Sequence, residues 1–226
     1  MRQRRVTQAN EKIAAYVDLL LPAEEETGLR VERPSHHLRW YERPSSRYLL
    51  PAGFPRTYVE LGCGRGQFIN TLAAADPEAL YIGVEGCKSI LLSALKKTRE
   101  TNLANVLYID AFINDATTAF DEASIAGIFL NFSDPWPKER HASRRLTAQK
   151  KAEAYFHILD PGGFAAVKTD GEALYNYSLR TFTEAGFCIT STSDPIATRA
   201  ISTPTEYEER FRVLGMPIYH FIALKP

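Results

Sequence analysis

Asp134 is the residue around which the chemistry of this chain gathers. It follows an apolar run, Ile125–Leu130, in the string Asn131-Phe132-Ser133-Asp134-Pro135-Trp136-Pro137-Lys138, and Arg140, His141, Arg144 and Arg145 come directly after. A carboxylate at that place can accept the N1 and N2 hydrogens of a guanine together. Trp136 can stack on a base or pack the loop against the core, and Pro135 and Pro137 stiffen it. Lys138, Arg140, Arg144 and Arg145 suit phosphate contacts, which position a nucleic acid and make its binding salt-dependent; the plainer alternative is a solvated helix start. His141 reads equally as an orienting donor and as a chemical group. Asp170, just after the apolar run Phe164–Val167, either faces the same cleft or caps a helix beginning at Glu172. The reaction that fits is attack by guanine N7 on the methyl of a sulfonium. N7 has a lone pair and no hydrogen, so transfer needs no general base, and alignment plus carboxylates facing the cationic ring carry the catalysis.

A second set of residues suits the methyl donor. Gly62, Gly64 and Gly66 follow the run Thr57–Leu61 and precede a helical pattern, so backbone can approach a ligand at a helix start. The third glycine comes one residue too early for a dinucleotide fingerprint, and no Gly-Lys-Ser/Thr follows, which excludes a phosphate-cradling P-loop. Glu60, ahead of the glycines, would repel a pyrophosphate but attract the ammonium of a methionine moiety. Glu85 is placed to accept from two ribose hydroxyls, and Asp110 from an adenine amine. Glycine loops of this kind also occur as plain turns; together with the three acids, this one indicates S-adenosylmethionine.

These residues must be positioned by strand ends. Apolar runs at Thr57–Leu61, Leu80–Val84, Val106–Ile109, Ile125–Asn131 and Phe164–Lys168 alternate with helical patterns at Gln67–Ala75, Cys87–Thr101, Thr147–Leu159 and Glu172–Ala185. Asp160-Pro161-Gly162-Gly163 signals a sharp turn. Gly186–Ser191 and Ile218–Ala223 are candidate sixth and seventh strands. The alternation predicts an α/β fold, a seven-stranded, mostly parallel sheet with an antiparallel edge strand and helices on both faces. Residues 57–226 would form this domain. Residues 1–56 precede it as a basic arm and cover, with a helix over Thr7–Leu21 presenting Ile13, Ala14, Val17, Leu20 and Leu21 on one side.

The 226 residues carry 27 basic and 27 acidic side chains, a balance that by itself argues against a nucleic-acid partner. The charges are segregated, however. Six Lys/Arg lie between Lys138 and Lys151 against the single Glu139, and Arg2, Arg4, Arg5 and Lys12 cluster at the start. Acids gather at Glu24–Glu26 and Glu206–Glu209. Distribution outweighs the sum. Cys63, Cys87 and Cys188 are scattered, which argues against a disulfide framework or a zinc site and fits buried thiols in a reducing cytoplasm. No apolar run spans a membrane and no signal-peptide pattern is present, so no membrane or metal partner is expected.

With these residues in view, the chain resembles the bacterial tRNA (guanine-N7-)-methyltransferase family. The matching pieces are Glu60–Gly66, Gly83–Glu85, Asp110-Ala111, Asn131–Lys138, Arg140-His141, Arg144-Arg145, Lys168–Asp170 and Thr205–Phe211. The resemblance implies a Rossmann-like class I S-adenosylmethionine-dependent methyltransferase that modifies guanine 46 in the variable loop of tRNA. It implies cofactor contacts at Glu60, Glu85, Asp110 and Asp134 beside the glycines Gly62 and Gly64, with Asp134 also the catalytic acid. It places substrate contacts at Lys138, Asp170, Thr205, Glu206, Tyr207 and Glu208. From spacing alone, Thr205-x-x-Glu208 is a capping box. The family usually has Lys where this chain has Ser143, and the stretch from Pro22 to Pro55 is longer than expected. A monomer or homodimer without an obligatory protein partner is expected. Two other readings remain: a methyltransferase of another RNA or a small molecule, and a noncatalytic RNA-binding scaffold of the same fold.

Overall fold

Strand alternation sorts the apolar residues of this chain into two faces. In the computed structural model, which describes residues 9–23, 47–190 and 194–226, seven strands form one sheet. They are β1 (Thr57–Leu61), β2 (Leu80–Val84), β3 (Val106–Ile109), β4 (Ile125–Asn131), β5 (Leu159–Thr169), β6 (Cys188–Ile189) and β7 (Tyr219–Leu224). Val59, Ile82, Ile128, Leu130 and Val167 pack on one side, under α4 (Gln149–Ile158) and α5 (Glu172–Glu184). Tyr58, Tyr81, Tyr108, Phe129 and Phe164 make an aromatic layer on the other, under α2 (Gln67–Ala75), α3 (Lys88–Thr101) and α6 (Pro195–Ser202). Tyr58 stacks on Tyr81 at 5.2 Å and on Phe129 at 6.0 Å. Such paired rings add to the gain from burial alone.

The strand order is β3-β2-β1-β4-β5-β7-β6. The chain runs outward from β1 to β3, then returns to place β4 beside β1 on its other side, both pairings being parallel. That reversal opens a crevice above the carboxyl ends of β1 and β4, where ligands bind in open α/β sheets. The fold is the expected Rossmann-like class I methyltransferase architecture. Its antiparallel edge is the expected pair of last strands, with β7 antiparallel to both neighbours and β6 outermost.

Five expectations about local structure need correction. Asp160–Gly163 does not turn the chain: β5 runs through it, with the register against β4 shifting between Ile125 and Gly127. Lys225 donates to the Gly163 carbonyl at 2.8 Å, and the Gly162 N–H to Lys225 at 3.0 Å, so the extra residues are absorbed as a bulge. The helix before it is correspondingly shorter, Gln149–Ile158, because Leu159 already pairs with Ile125. The sixth strand is only Cys188–Ile189, and Cys188 is exposed rather than buried. Of the helix expected over Thr7–Leu21, α1 covers Ala9–Ala14, and a 3₁₀ turn follows at Val17–Leu19. Ile13 and Leu21 are buried, but Val17 is 69 % exposed, since Leu20 and Leu21 leave the helix to run along β3. Arg2–Arg5 and residues 24–46 of the expected arm lie outside the described residues. One helix had no clear sequence signal, α6, capped by Asp194 through the amides of Ile196 and Ala197; α7 (Glu206–Val213) begins where the Thr205-x-x-Glu208 spacing signals a helix start. Among the described residues no helix is long and apolar enough to cross a membrane.

Candidate active site

Glu60, Asn131 and Lys168 sit near the carboxyl ends of β1, β4 and β5 and share the aromatic face, because each is two residues beyond an inward ring or alanine of that face (Tyr58, Phe129, Ala166). Asn131 Nδ2 donates to Glu60 Oε1 at 2.9 Å. Glu60 Oε2 is buried with no hydrogen-bond partner among the described residues. Burial pushes the Glu60 carboxyl up to about 8, against the Asn131 bond and the Lys168 charge, which draw it down. A buried acceptor left open beside a cleft fits a cationic ligand group and opposes a phosphate. The ammonium of an amino-acid moiety meets that test.

The glycine loop follows β1. Gly66, at φ 76°, begins α2, and a Cβ there would meet Tyr108 Oη at 2.7 Å. Gly64, at φ 58°, has nothing within 4 Å of its missing Cβ; it is required for its backbone conformation, and the space beside it is open. Glu85 reaches across from β2: its Oε2 accepts from the Gly64 N–H at 3.2 Å and its Oε1 from Cys87 at 2.7 Å. Burial raises the Glu85 carboxyl, those backbone donors oppose the rise, and the charge of Asp134 adds to it.

Two contiguous clefts lie over this ridge. One, of about 280 Å³, is lined by Glu60, the Gly62–Arg65 loop, Asn131 and Thr205–Tyr207. The other, of about 580 Å³, is lined by Glu85, Ala111–Asn114, Ser133, Asp134, Trp136 and Arg144. Tyr207 and Phe132 border both, their rings 4.9 Å apart. Asp110 borders neither; its carboxylate pairs with Lys88 Nζ at 3.0 Å, and the next four residues line the wall instead. Among them Phe112 packs so closely on Gly86 that a Cβ there would meet its ring at 2.3 Å.

The Asp134 loop is held in a strained form. Phe132 and Trp136 have φ of 48° and 40°, a region that large side chains rarely adopt. The Phe132 amide bonds the Lys168 carbonyl at 2.8 Å. Arg145 donates from Nε to the Pro135 carbonyl and from Nη2 to that of Trp136, both at 3.1 Å, and its guanidinium lies 4.3 Å from the Tyr177 ring centre. Arg145, expected on phosphate, is thus buried as the brace of the loop. Arg144 faces the cleft, 5.1 Å from the Trp136 ring, and His141 meets the same ring edge-on at 5.7 Å. Trp136 therefore packs within the loop and also lines the cleft. Asp134 is exposed and has no hydrogen bond or ion pair to any described residue. Lys138 and Arg140 are exposed alongside it.

The remaining candidates separate. Asp170 does not cap α5, whose N-cap is Gly171; it accepts from the Tyr207 hydroxyl at 3.1 Å. Thr205 Oγ1 accepts from the Glu208 amide at 3.0 Å, which is half of a capping box. The other half is missing, because Glu208 turns inward and pairs with Lys168 at 3.1 Å with both side chains 2 % exposed. Lys168 Nζ also donates to the Thr203 carbonyl at 2.6 Å. Glu206 pairs with Lys97. Thr205, Glu206 and Tyr207 thus reach the cleft, and Glu208 anchors their helix. Asn131, Lys168 and Phe112 were overlooked as site residues. A lysine in the apolar run Phe164–Thr169 was the available signal, since a buried cation needs a partner.

The strand order, the glycine loop and the acids at the strand ends define a class I methyltransferase. A family described as a putative methyltransferase matches residues 55–221. The tRNA (guanine-N(7)-)-methyltransferase of Geobacillus thermodenitrificans is 37% identical over 100% of this chain and 98% of its own. That of Oceanobacillus iheyensis is 43% identical over 72% and 77%. This chain belongs to the tRNA (guanine-N(7)-)-methyltransferase family. Among solved structures, the 16S rRNA methyltransferase KamB shares the fold at a TM-score of 0.57 and 15% identity, over 77% of this chain and 90% of its own.

Proposed function

We propose that this chain methylates N7 of guanine 46 in the variable loop of tRNA, with S-adenosylmethionine as donor, in the cytoplasm. Asp134 carries this proposal: an unpaired carboxylate on a braced loop, beside Trp136 and above the acids of the cofactor cleft. S-adenosylmethionine supplies an electrophilic methyl group to the cleft. Glu60 would hold its ammonium, Glu85 its ribose once released from Gly64, and Phe112 would pack on its adenine. Asp110 reaches the adenine amine only by leaving Lys88. Asp134 accepts from N1 and N2 of the guanine, aims N7 into the cleft, and favours the positive charge the ring acquires. No side chain takes a proton from N7, since none is present. Tyr207 and Asp170 would close over the base, and Lys138, Arg140 and Arg144 would hold phosphates. Residues 57–226 act as the catalytic domain, and residues 1–56 as its cover.

The test is incubation with labelled S-adenosylmethionine and unmodified tRNA transcripts, followed by strand cleavage specific for N7-methylguanine. Cleavage at guanine 46, lost when that base is replaced, is expected. Labelling at another site would overturn the position. Absence of both labelling and cofactor binding would favour a scaffold.

A further inference from the structure

A separate cavity of about 670 Å³ lies behind Arg144. It shares Asn114, Arg144 and Lys151 with the cleft that holds Asp134, so the two have a common wall. Arg140, Arg144, Lys150 and Lys151 line it, and no acidic side chain among the described residues does. Lys150 and Lys151 make no hydrogen bond or ion pair with any described residue. Burial lowers the Lys151 ammonium from its ordinary value. An unpaired, partly buried cation weakens a fold, so its place on this wall gains nothing from within the chain. The opening is far larger than an inorganic ion needs, and of the size that takes a nucleotide.

We propose that this cavity is a second subsite of the RNA site, in which Lys151 and Lys150 hold the phosphodiester of a nucleotide neighbouring the methylated guanosine. The inference rests on the tRNA reading above. It adds lysines beyond the Lys138–Arg145 segment, and it joins base and phosphate recognition through the shared wall at Arg144. Seating that phosphate would position the guanine over Asp134 from behind, and would give the Lys151 ammonium a counter-ion.

The experiment measures tRNA affinity across a salt series for wild type, Lys151→Met and Lys151→Arg, with cofactor affinity and thermal midpoint alongside. Lys151→Met should weaken tRNA binding by about tenfold at low salt and reduce the log–log salt slope by about one. Its midpoint should hold or rise, and Lys151→Arg should restore binding. Transcripts carrying a neutral methylphosphonate at single positions flanking guanine 46 locate the contact. At one position the wild type should lose what Lys151→Met has already lost, while the variant loses nothing more. Additive losses at every position, or an unchanged salt slope, would overturn the subsite. So would a loss of cofactor affinity in place of tRNA affinity. Wild-type protein that binds tRNA with the expected slope but methylates elsewhere would sink the guanine 46 reading and leave the subsite standing.

Discussion

Arg145 Nη2 donates to the carbonyl of Trp136, a residue held at φ 40°. The side chain that fixes the loop thus comes from beyond the 3₁₀ turn (Glu139–Arg144) that follows it. Each large residue in that backbone region costs of order 1–3 kcal/mol, so the loop persists only while its braces do. Arg145→Lys keeps the charge but loses the planar fork that reaches two carbonyls. It should lower stability by about 1–2 kcal/mol and kcat at least tenfold, with the salt slope of tRNA binding unchanged. A reduced slope with unchanged stability would return Arg145 to the phosphate contacts.

Asp134→Asn removes the charge from the guanine side of the cleft and keeps the shape. Turnover should fall by a hundredfold or more, as for other preorganised groups facing developing charge, with an unchanged melting midpoint. Near-normal methylation by the variant would end the role assigned to Asp134.

Glu60 gives the cofactor site a pH dependence of definite sign. With its carboxyl raised to about 8, most of the ligand-free protein holds it protonated at neutral pH. A cationic ligand binds the ionised form, so cofactor affinity should rise with pH up to about 8 and then level off. The ligand-free fold shows the reverse trend. A carboxyl that keeps its proton in the folded state and loses it near 4.5 when unfolded makes stability fall as pH rises from about 4.5 to about 8. Calorimetric titrations of wild type and Glu60→Gln, from pH 6 to 9, test both statements. Parallel affinity profiles for the two proteins would refute the assignment.

Lys168 and Glu208 form a buried pair whose halves depend on each other. Lys168→Met should destabilise the protein by about 3–5 kcal/mol, because it removes the buried counter-ion of Glu208. Lys168→Met combined with Glu208→Leu should recover most of that loss. Urea unfolding of the two variants decides it; equal losses would mean that the pair is not coupled.

The fold was legible because its strands are short apolar runs separated by clear helix patterns. β1, β2, β3 and β4 begin and end where the runs do. Asp160–Gly163 misled because a turn sequence also makes a bulge when a neighbouring strand supplies partners, as β7 does here. At the site, Glu60, Glu85 and Asp134 reached the clefts because strand and loop positions fixed them. Arg144 and Arg145 are adjacent cations with opposite fates, and nothing local distinguishes them. Only the Pro135 and Trp136 carbonyls and the Tyr177 ring, brought in from elsewhere, draw one inward. Glu208 is similar: its spacing from Thr205 is a capping signal, and a lysine forty residues upstream overrides half of it.

Leu20 bridges Tyr108 in parallel, and the Leu21 amide donates to the Tyr108 carbonyl at 2.8 Å. The outer margin of β3 would otherwise present free peptide groups to any passing extended chain. At the far margin β6 is two residues long, too short to template much. The sheet is therefore sealed on one flank by its own leading segment and blunted on the other, which guards it against self-polymerisation. Removal of the residues before Pro22 should convert this chain into a species that associates through β3.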